Sequence, residues 1–366
     1  MRGPLIAVFF CVVASGCGRS SEPVAIGTAG PWRDGYALMV RRAVELAAEE
    51  VNAAGGIDGK GRGRKLEVVA RDDGGDGIRA ATIAQEFLGS PRVVAVVGHA
   101  NSGGMVGAAP LYDHGLAAIS PTATSPEISG ISPWVFRVTT NDSVNGAMLA
   151  RFASELGKRR VAVLYENNVY GRDLAEAFRA AFGGTLVGVD PIAGDGTKVE
   201  PFITYYRGVA PDLVFVAGTD GSGRALLREA LRQGFRTQWL SGDGWAGIQS
   251  DTVAAEGAYV AVPFSVHDPR PEARRFVAAF RARYGVEPDA GAAHAYDATL
   301  LLVQAIREVG PDREAVRDYL ARVRGDRAYA GVTGEIRFAA NGDPEQARFL
   351  MTQVRGGTLQ PVGGDQ

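Results

Sequence analysis

Short, wholly apolar runs alternate along this chain with longer stretches that are apolar on one side only. Val93–Val97 and Leu213–Ala217 contain no polar side chain. Runs of that length suit strands buried on both faces, and such strands need helices packed on either side. This pattern constrains the fold more than any other feature of the chain, because it indicates parallel sheets covered front and back.

The spacing predicts strands over Val24–Ala29, Leu66–Ala70, Val93–Val97, Leu116–Ile119 and Val135–Val138. Helices are expected over Tyr36–Ala53, Ile78–Leu88 and Gly103–Tyr112. In the first of these, Leu38, Val44, Leu46, Ala47, Ala48 and Val51 form one apolar face, and Ala54-Gly55-Gly56 stops it. The rhythm then restarts. Ser143–Leu156, Tyr170–Phe182 and Ser222–Gln233 read as helices, and Val161–Tyr165, Thr185–Val189, Leu213–Ala217, Gln238–Ser241 and Ala258–Val262 as strands. Helices over Pro271–Tyr284, Ala292–Val309 and Arg313–Val323 follow. Gly334–Phe338 and Phe349–Val354, around Asn341-Gly342-Asp343, read as a closing hairpin. Two successions of this kind imply two doubly wound α/β lobes, and a length of 366 residues favours two domains.

The start of the chain has a different character. Arg2 precedes the apolar run Leu5–Val13, and Ala14-Ser15-Gly16-Cys17 follows. The run is too short to span a bilayer, and its order of positive, apolar and small residues is that of a secretory signal. Cys17 after the small residues resembles the lipobox of bacterial lipoproteins, with Ala14 where leucine is usual. That resemblance implies cleavage before Cys17, acylation of Cys17 and a polar tether beginning at Gly18. The alternative is an ordinary secretory signal cut nearby. Cys11 and Cys17 are the only cysteines, so a mature chain beginning at Cys17 has no internal disulfide. The formal net charge of −2 and the lack of a basic stripe disfavour nucleic acid as a partner.

Several segments together resemble the type I periplasmic binding proteins, in the branched-chain amino-acid-binding branch. They are Glu49–Ile57, Val96-Val97-Gly98-His99, Ile119–Glu127, Val161–Tyr165 with Tyr170-Gly171, and Gly331–Gly334 with Phe338 and Asn341-Gly342-Asp343. The resemblance implies two Rossmann-like lobes joined by three crossovers near Val138–Asp142, Val262–His267 and Gly331–Gly334. Lobe 1 is then expected over 24–138 and 267–330, and lobe 2 over 139–266 and 331–366. The disulfide of some relatives is absent: Gly75 and Asn101 stand where its cysteines would be.

Ligands in open parallel sheets sit beyond the carboxyl ends of strands. Ser102 and the Thr122-Ala123-Thr124 stretch follow two such strands. A helix start at Ser102 suits a carboxylate, although Ser102 also reads as a plain N-cap and Thr124 as a turn residue. The resemblance implies that Ser102 and Thr124, with backbone from Thr122 and Ala123, hold an α-carboxylate. It implies that Tyr170 covers the ligand and that Asp243 pairs an α-ammonium. Asp243 alone, between two glycines, reads equally as a turn residue. Thr219 and Asp220 fall where relatives carry an aromatic contact, and Asp220 offers a second acid. Trp32 and Tyr36 lie in the first loop, as pocket-lining or core aromatics.

Enzyme readings have less support. The four histidines show no metal spacing. Gly218–Gly223 lacks the G-x-G-x-x-G register of a dinucleotide loop, and Gly242–Gly247 has no serine for a nucleophile elbow. No cofactor or metal is expected. The sequence reading is an exported, lipid-anchored solute-binding protein that takes an amino acid, branched-chain or related, or a similar small molecule to an ABC importer permease. A sensor of the same fold, signalling to a membrane partner, is the alternative.

Overall fold

The computed structural model describes residues 22–346 and 349–362. Cys17 and the leader around it lie outside the described residues. The described chain opens with strand β1 (Val24–Gly30), helix α1 (Gly35–Ala53), β2 (Leu66–Asp72), α2 (Gly77–Gly89), β3 (Val93–Gly98), α3 (Ser102–Tyr112), β4 (Ala117–Ser120) and β5 (Val135–Arg137). These strands form one parallel sheet in the order β2-β1-β3-β4-β5. Helix α1 buries Val40, Ala43, Val44 and Ala47 on one face of the sheet, at helical spacing. Ala80, Ala84 and Phe87 of α2 join Met105 and Ala109 of α3 on the other face. The all-apolar β3 is buried along its whole length between the two layers.

The second succession is α4 (Asp142–Glu155), β6 (Arg160–Glu166), α5 (Val169–Ala181), β7 (Thr185–Ile192), α6 (Glu200–Val209), β8 (Leu213–Ala217), α7 (Asp220–Gln233), β9 (Gln238–Ser241) and β10 (Tyr259–Val262). Helices α4 and α5 cover one face of this sheet, and α6 and α7 the other. The chain then returns to lobe 1. Helices α8 (Pro271–Tyr284), α9 (Ala290–Val309) and α10 (Arg313–Leu320) complete the layer that α1 begins.

The end of the chain corrects the expected closing hairpin. Gly334–Phe338 does not pair with Phe349–Val354. Instead β12 (Gly334–Ile336) pairs with β11 (Tyr329–Gly331), and β13 (Leu350–Arg355) pairs with β10 and β14 (Thr358–Pro361). The Asp297 carboxylate of α9 explains the first pairing. It accepts the Val332 and Thr333 amides at 2.7 and 2.8 Å and the Thr333 hydroxyl at 2.6 Å, holding that turn on lobe 1. Val332, Ile336 and Phe338 then bury in the lobe 1 core, and the rings of Phe338 and Phe136 lie 5.0 Å apart. The third crossover therefore comes after Phe338, later than Gly331–Gly334. Gly356 and Gly357, with φ of 57° and 78°, supply the left-handed two-residue turn between β13 and β14. The lobe 2 sheet has the order β14-β13-β10-β9-β8-β6-β7.

Candidate ligand-binding cleft

A cavity of about 580 Å3 lies between the lobes. Its wall is built from the segments that follow the parallel strands: residues 33–36 after β1, 74–75 after β2, 100–103 after β3, and Thr122 and Thr139 after β4 and β5. From lobe 2 come Glu166 at the end of β6 with residues 168–170, then 194–195 after β7, 219–221 after β8, and 243, 244 and 246 after β9. The carboxyl ends of both sheets thus face one space, where polar groups at strand ends are free of ladder pairing.

Helix starts shape the lobe 1 wall. Asn101, rather than Ser102, caps α3: its side-chain oxygen accepts the Gly104 amide at 2.6 Å. Ser102 is released from that task. It is buried, and its Oγ accepts the amides of Thr124 and Ser125, both at 3.2 Å. Thr122 lines the cavity while its hydroxyl donates to the Ala100 carbonyl at 2.6 Å. Ala123 and Thr124 are not among the lining residues. Ala123 packs in the core beneath α3. The Thr124 hydroxyl donates to Asp142 at 2.9 Å, below the surface of the cavity. Burial and then the Asp243 charge push the Asp142 carboxyl well above its usual range. Trp32 packs against the lobe 1 core and lies outside the lining, whereas Tyr36 lines it.

On lobe 2, Tyr170 and Asp243 meet. The Tyr170 hydroxyl donates to Asp243 at 3.1 Å and accepts the Gly244 amide at 3.2 Å. Burial raises the Asp243 carboxyl to about 6, and the Tyr170 hydroxyl and nearby amides partly oppose the rise. Gly171 keeps Tyr170 in place: a Cβ there would stand 2.2 Å from the Glu166 carbonyl, so α5 can approach β6 this closely only with glycine. Asp220 has a cation of its own, since Arg224 reaches it at 2.7 Å.

Seven of the ten ligand-site candidates line the cavity: Ser102, Thr122, Tyr170, Thr219, Asp220, Asp243 and Tyr36. The sequence reading missed several others, among them Arg33, Asp34, Glu166, Asn168, Arg224, Asp289 and His294. Glu166 carries a visible signal, as an acid at the end of the strand whose middle is the apolar run Val161–Leu164. Its carboxylate accepts the Thr219 amide at 2.8 Å, the hydroxyls of Thr219 and Ser222, each at 2.7 Å, and the Asn168 amide group at 2.9 Å. It thereby fixes the loop that carries Thr219 and Asp220. Asp289 caps α9 by accepting the Ala292 amide at 2.8 Å, and burial lifts its carboxyl to about 7.

Two doubly wound lobes with a polar cavity between their strand ends define a bilobed small-molecule-binding protein. The periplasmic binding protein family model matches residues 25–358, and the chain belongs to that family. It is 30% identical over 323 residues to an amino acid binding protein of Pseudomonas aeruginosa, covering 83% of this chain and 84% of that one. Its fold is similar to the isoleucine complex of the branched-chain amino acid transporter substrate binding protein LivJ from Streptococcus pneumoniae. That match has a TM-score of 0.85 at 26% identity and covers 93% of this chain and 99% of the other. An ABC transporter substrate-binding protein from Desulfitobacterium hafniense, in complex with Leu, matches with a TM-score of 0.77 at 30% identity, over 93% and 100% of the two chains.

Proposed function

We propose that this protein captures an α-amino acid between its lobes and hands it to the permease of an ABC importer, from a position outside the cytoplasm and tethered by acylated Cys17. One observation carries the choice of ligand. Asp243 is a cavity-lining carboxylate bonded to Tyr170, with no cation beside it among the described ion pairs. Asp220 has Arg224. A half-buried carboxylate with a raised pKa favours an incoming cation, because the cation offsets the cost of leaving water. The start of α3 at Ser102 supplies the opposite pole, where a carboxylate meets amide groups and the positive helix end. Family membership and the similarity to proteins solved with isoleucine and leucine support the same reading.

The test is a thermal-shift screen of the purified protein with α-amino acids and with the amines and acids that lack one of the two groups. A ligand at about 100 times its Kd adds about 2.7 kcal/mol of stability. A clear shift by an amino acid, lost when either group is removed, is the expected result. Shifts from the acids alone would refute the assignment of Asp243. Metabolic labelling with a palmitate analogue should mark the full-length protein and not Cys17→Ala, and equal labelling of both would refute the tether.

A further inference from the structure

Thr124 and Ser125 lie outside the lining of the cleft, and both are fully buried. Their backbone is fixed in lobe 1. Ser102 accepts both amides, and the Arg137 guanidinium donates to the Ser125 carbonyl at 2.8 Å. Their hydroxyls reach the other way. Thr124 donates to Asp142, the first residue of α4, at 2.9 Å, and the Asp142 amide donates to the Thr124 carbonyl at 2.8 Å. The Ser125 hydroxyl accepts the Glu127 amide at 3.2 Å and donates to Asp173 of α5 at 2.5 Å. Asp142 stands at the first crossover, whereas Asp173 lies out on the body of lobe 2. The starts of α3 and α5 also approach each other, since a Cβ on Gly103 would stand 3.8 Å from Val169 Cγ2.

The two hydroxyl bonds differ in what they can do. The one at the crossover sits where lobe movement is smallest. The one to Asp173 joins surfaces that separate when the cleft opens. A hydroxyl makes a stronger bond to a carboxylate than to a neutral acceptor. Asp173 is half-buried, so it keeps part of its hydration while it accepts that bond. Bonds within one lobe stabilise the fold, but a bond between lobes shifts the balance of open and closed states. Ser102 connects this pair to the cleft. It lines the cavity, and with Oγ accepting two amides its own proton is donated to nothing among the described hydrogen bonds. An acceptor in the cleft that takes this proton strengthens the hold of Ser102 on both amides, because linked hydrogen bonds polarise one another.

We propose that Thr124-Ser125 is a latch between the lobes, anchored on Asp142 at the crossover and closing on Asp173 at the rim. Thr124, which the family resemblance places on the ligand, serves here as the fixed end of that latch. Ser125 and Asp173 are positioning residues that hold the two walls together without touching the ligand. The latch does not depend on which ligand binds, because every contact in it is between protein groups.

Small-angle scattering of the ligand-free protein, with thermal melts of the same samples, tests it. Asp173→Ala should raise the radius of gyration and leave the melting temperature close to the wild-type value. Asp173→Asn keeps an acceptor for the Ser125 hydroxyl and should stay near the wild-type radius. Ser125→Ala with Asp173→Ala should open the protein no further than Asp173→Ala alone, since both changes remove one bond. An unchanged radius in Asp173→Ala would overturn the latch and leave the proposed ligand standing. Effects that add in the double variant would also overturn it, as would a rise in radius accompanied by a large fall in melting temperature, which marks a folding role instead.

Discussion

Asp243 is where one side chain decides most. Its carboxyl titrates near 6 because burial disfavours the charge, while the Tyr170 hydroxyl only partly offsets that. A folded-state pKa above the unfolded value means that folding binds protons. The stability Asp243 contributes is present in acid and is lost as pH rises from about 4 through about 6. In the free protein at neutral pH, the ionised group is a liability. Asp243→Ala should therefore leave the melting temperature of the free protein equal or slightly higher. Its effect on binding runs the other way. Losing one partner of a buried, hydrogen-bonded ion pair costs about 2–5 kcal/mol, so amino-acid affinity should fall by more than about tenfold. Wild-type affinity should also weaken as pH drops below about 6, because the carboxylate must be ionised to hold an ammonium. Titration calorimetry at acid and neutral pH checks both, and a pH-independent affinity would exclude Asp243 as the partner.

Among the elements, the junctions between lobes depend on one buried arginine. Arg137 ends β5, and its side chain is fully buried. Its guanidinium reaches Asp343 at 2.6 Å and the Ser125 carbonyl at 2.8 Å, and it also donates to Ser129. It therefore ties the start of the first crossover to the Asn341-Gly342-Asp343 turn of the third. Removing one member of a buried pair strands the other charge, at about 3–5 kcal/mol. Arg137→Leu should lose stability of that order in denaturant unfolding, and Arg137→Leu with Asp343→Leu should recover part of it. Equal losses for the single and double variants would show that the ion pair itself contributes little. The sequence marks the Asn341-Gly342-Asp343 turn as one of the resemblance segments, but the partner of Asp343 lies some two hundred residues away. No local pattern names it.

For the whole molecule, the proposed function makes lobe closure the coordinate to measure. Two lobes sharing three crossovers form a hinge. In the described arrangement the rims already touch, with the Ser125 hydroxyl donating to Asp173 across the cleft at 2.5 Å. A ligand that contacts both walls favours this state over an open one by its differential affinity. Small-angle scattering should show a smaller radius of gyration when the cleft is saturated. A tight ligand that leaves the scattering curve unchanged would mean that binding does not use the hinge.

Most strands and helices of both lobes were legible in the sequence, because each depends on side-chain periodicity within its own ten or twenty residues. The apolar run of β3 and the one-sided face of α1 are examples. Helix α6 escaped: Pro201 and the paired tyrosines Tyr205-Tyr206 hide a stretch that buries only Ile203 and Tyr206. The loops of the site were also legible, since strand ends in a parallel sheet open toward a ligand. What the sequence could not decide was where side chains in those loops point. Thr124 turns inward because Asp142, from the next helix, accepts its hydroxyl, and Trp32 folds onto the lobe 1 core. Asp34, Glu166 and Asp289, far apart in the chain, share one wall only through tertiary packing. The third crossover is of the same kind: Asp297 of α9 captures the Val332-Thr333 turn, and so draws Phe338 into lobe 1. Local periodicity determines which elements form. Contacts between distant residues, invisible to any window on the chain, determined the wall of the cleft and the place of the last crossing.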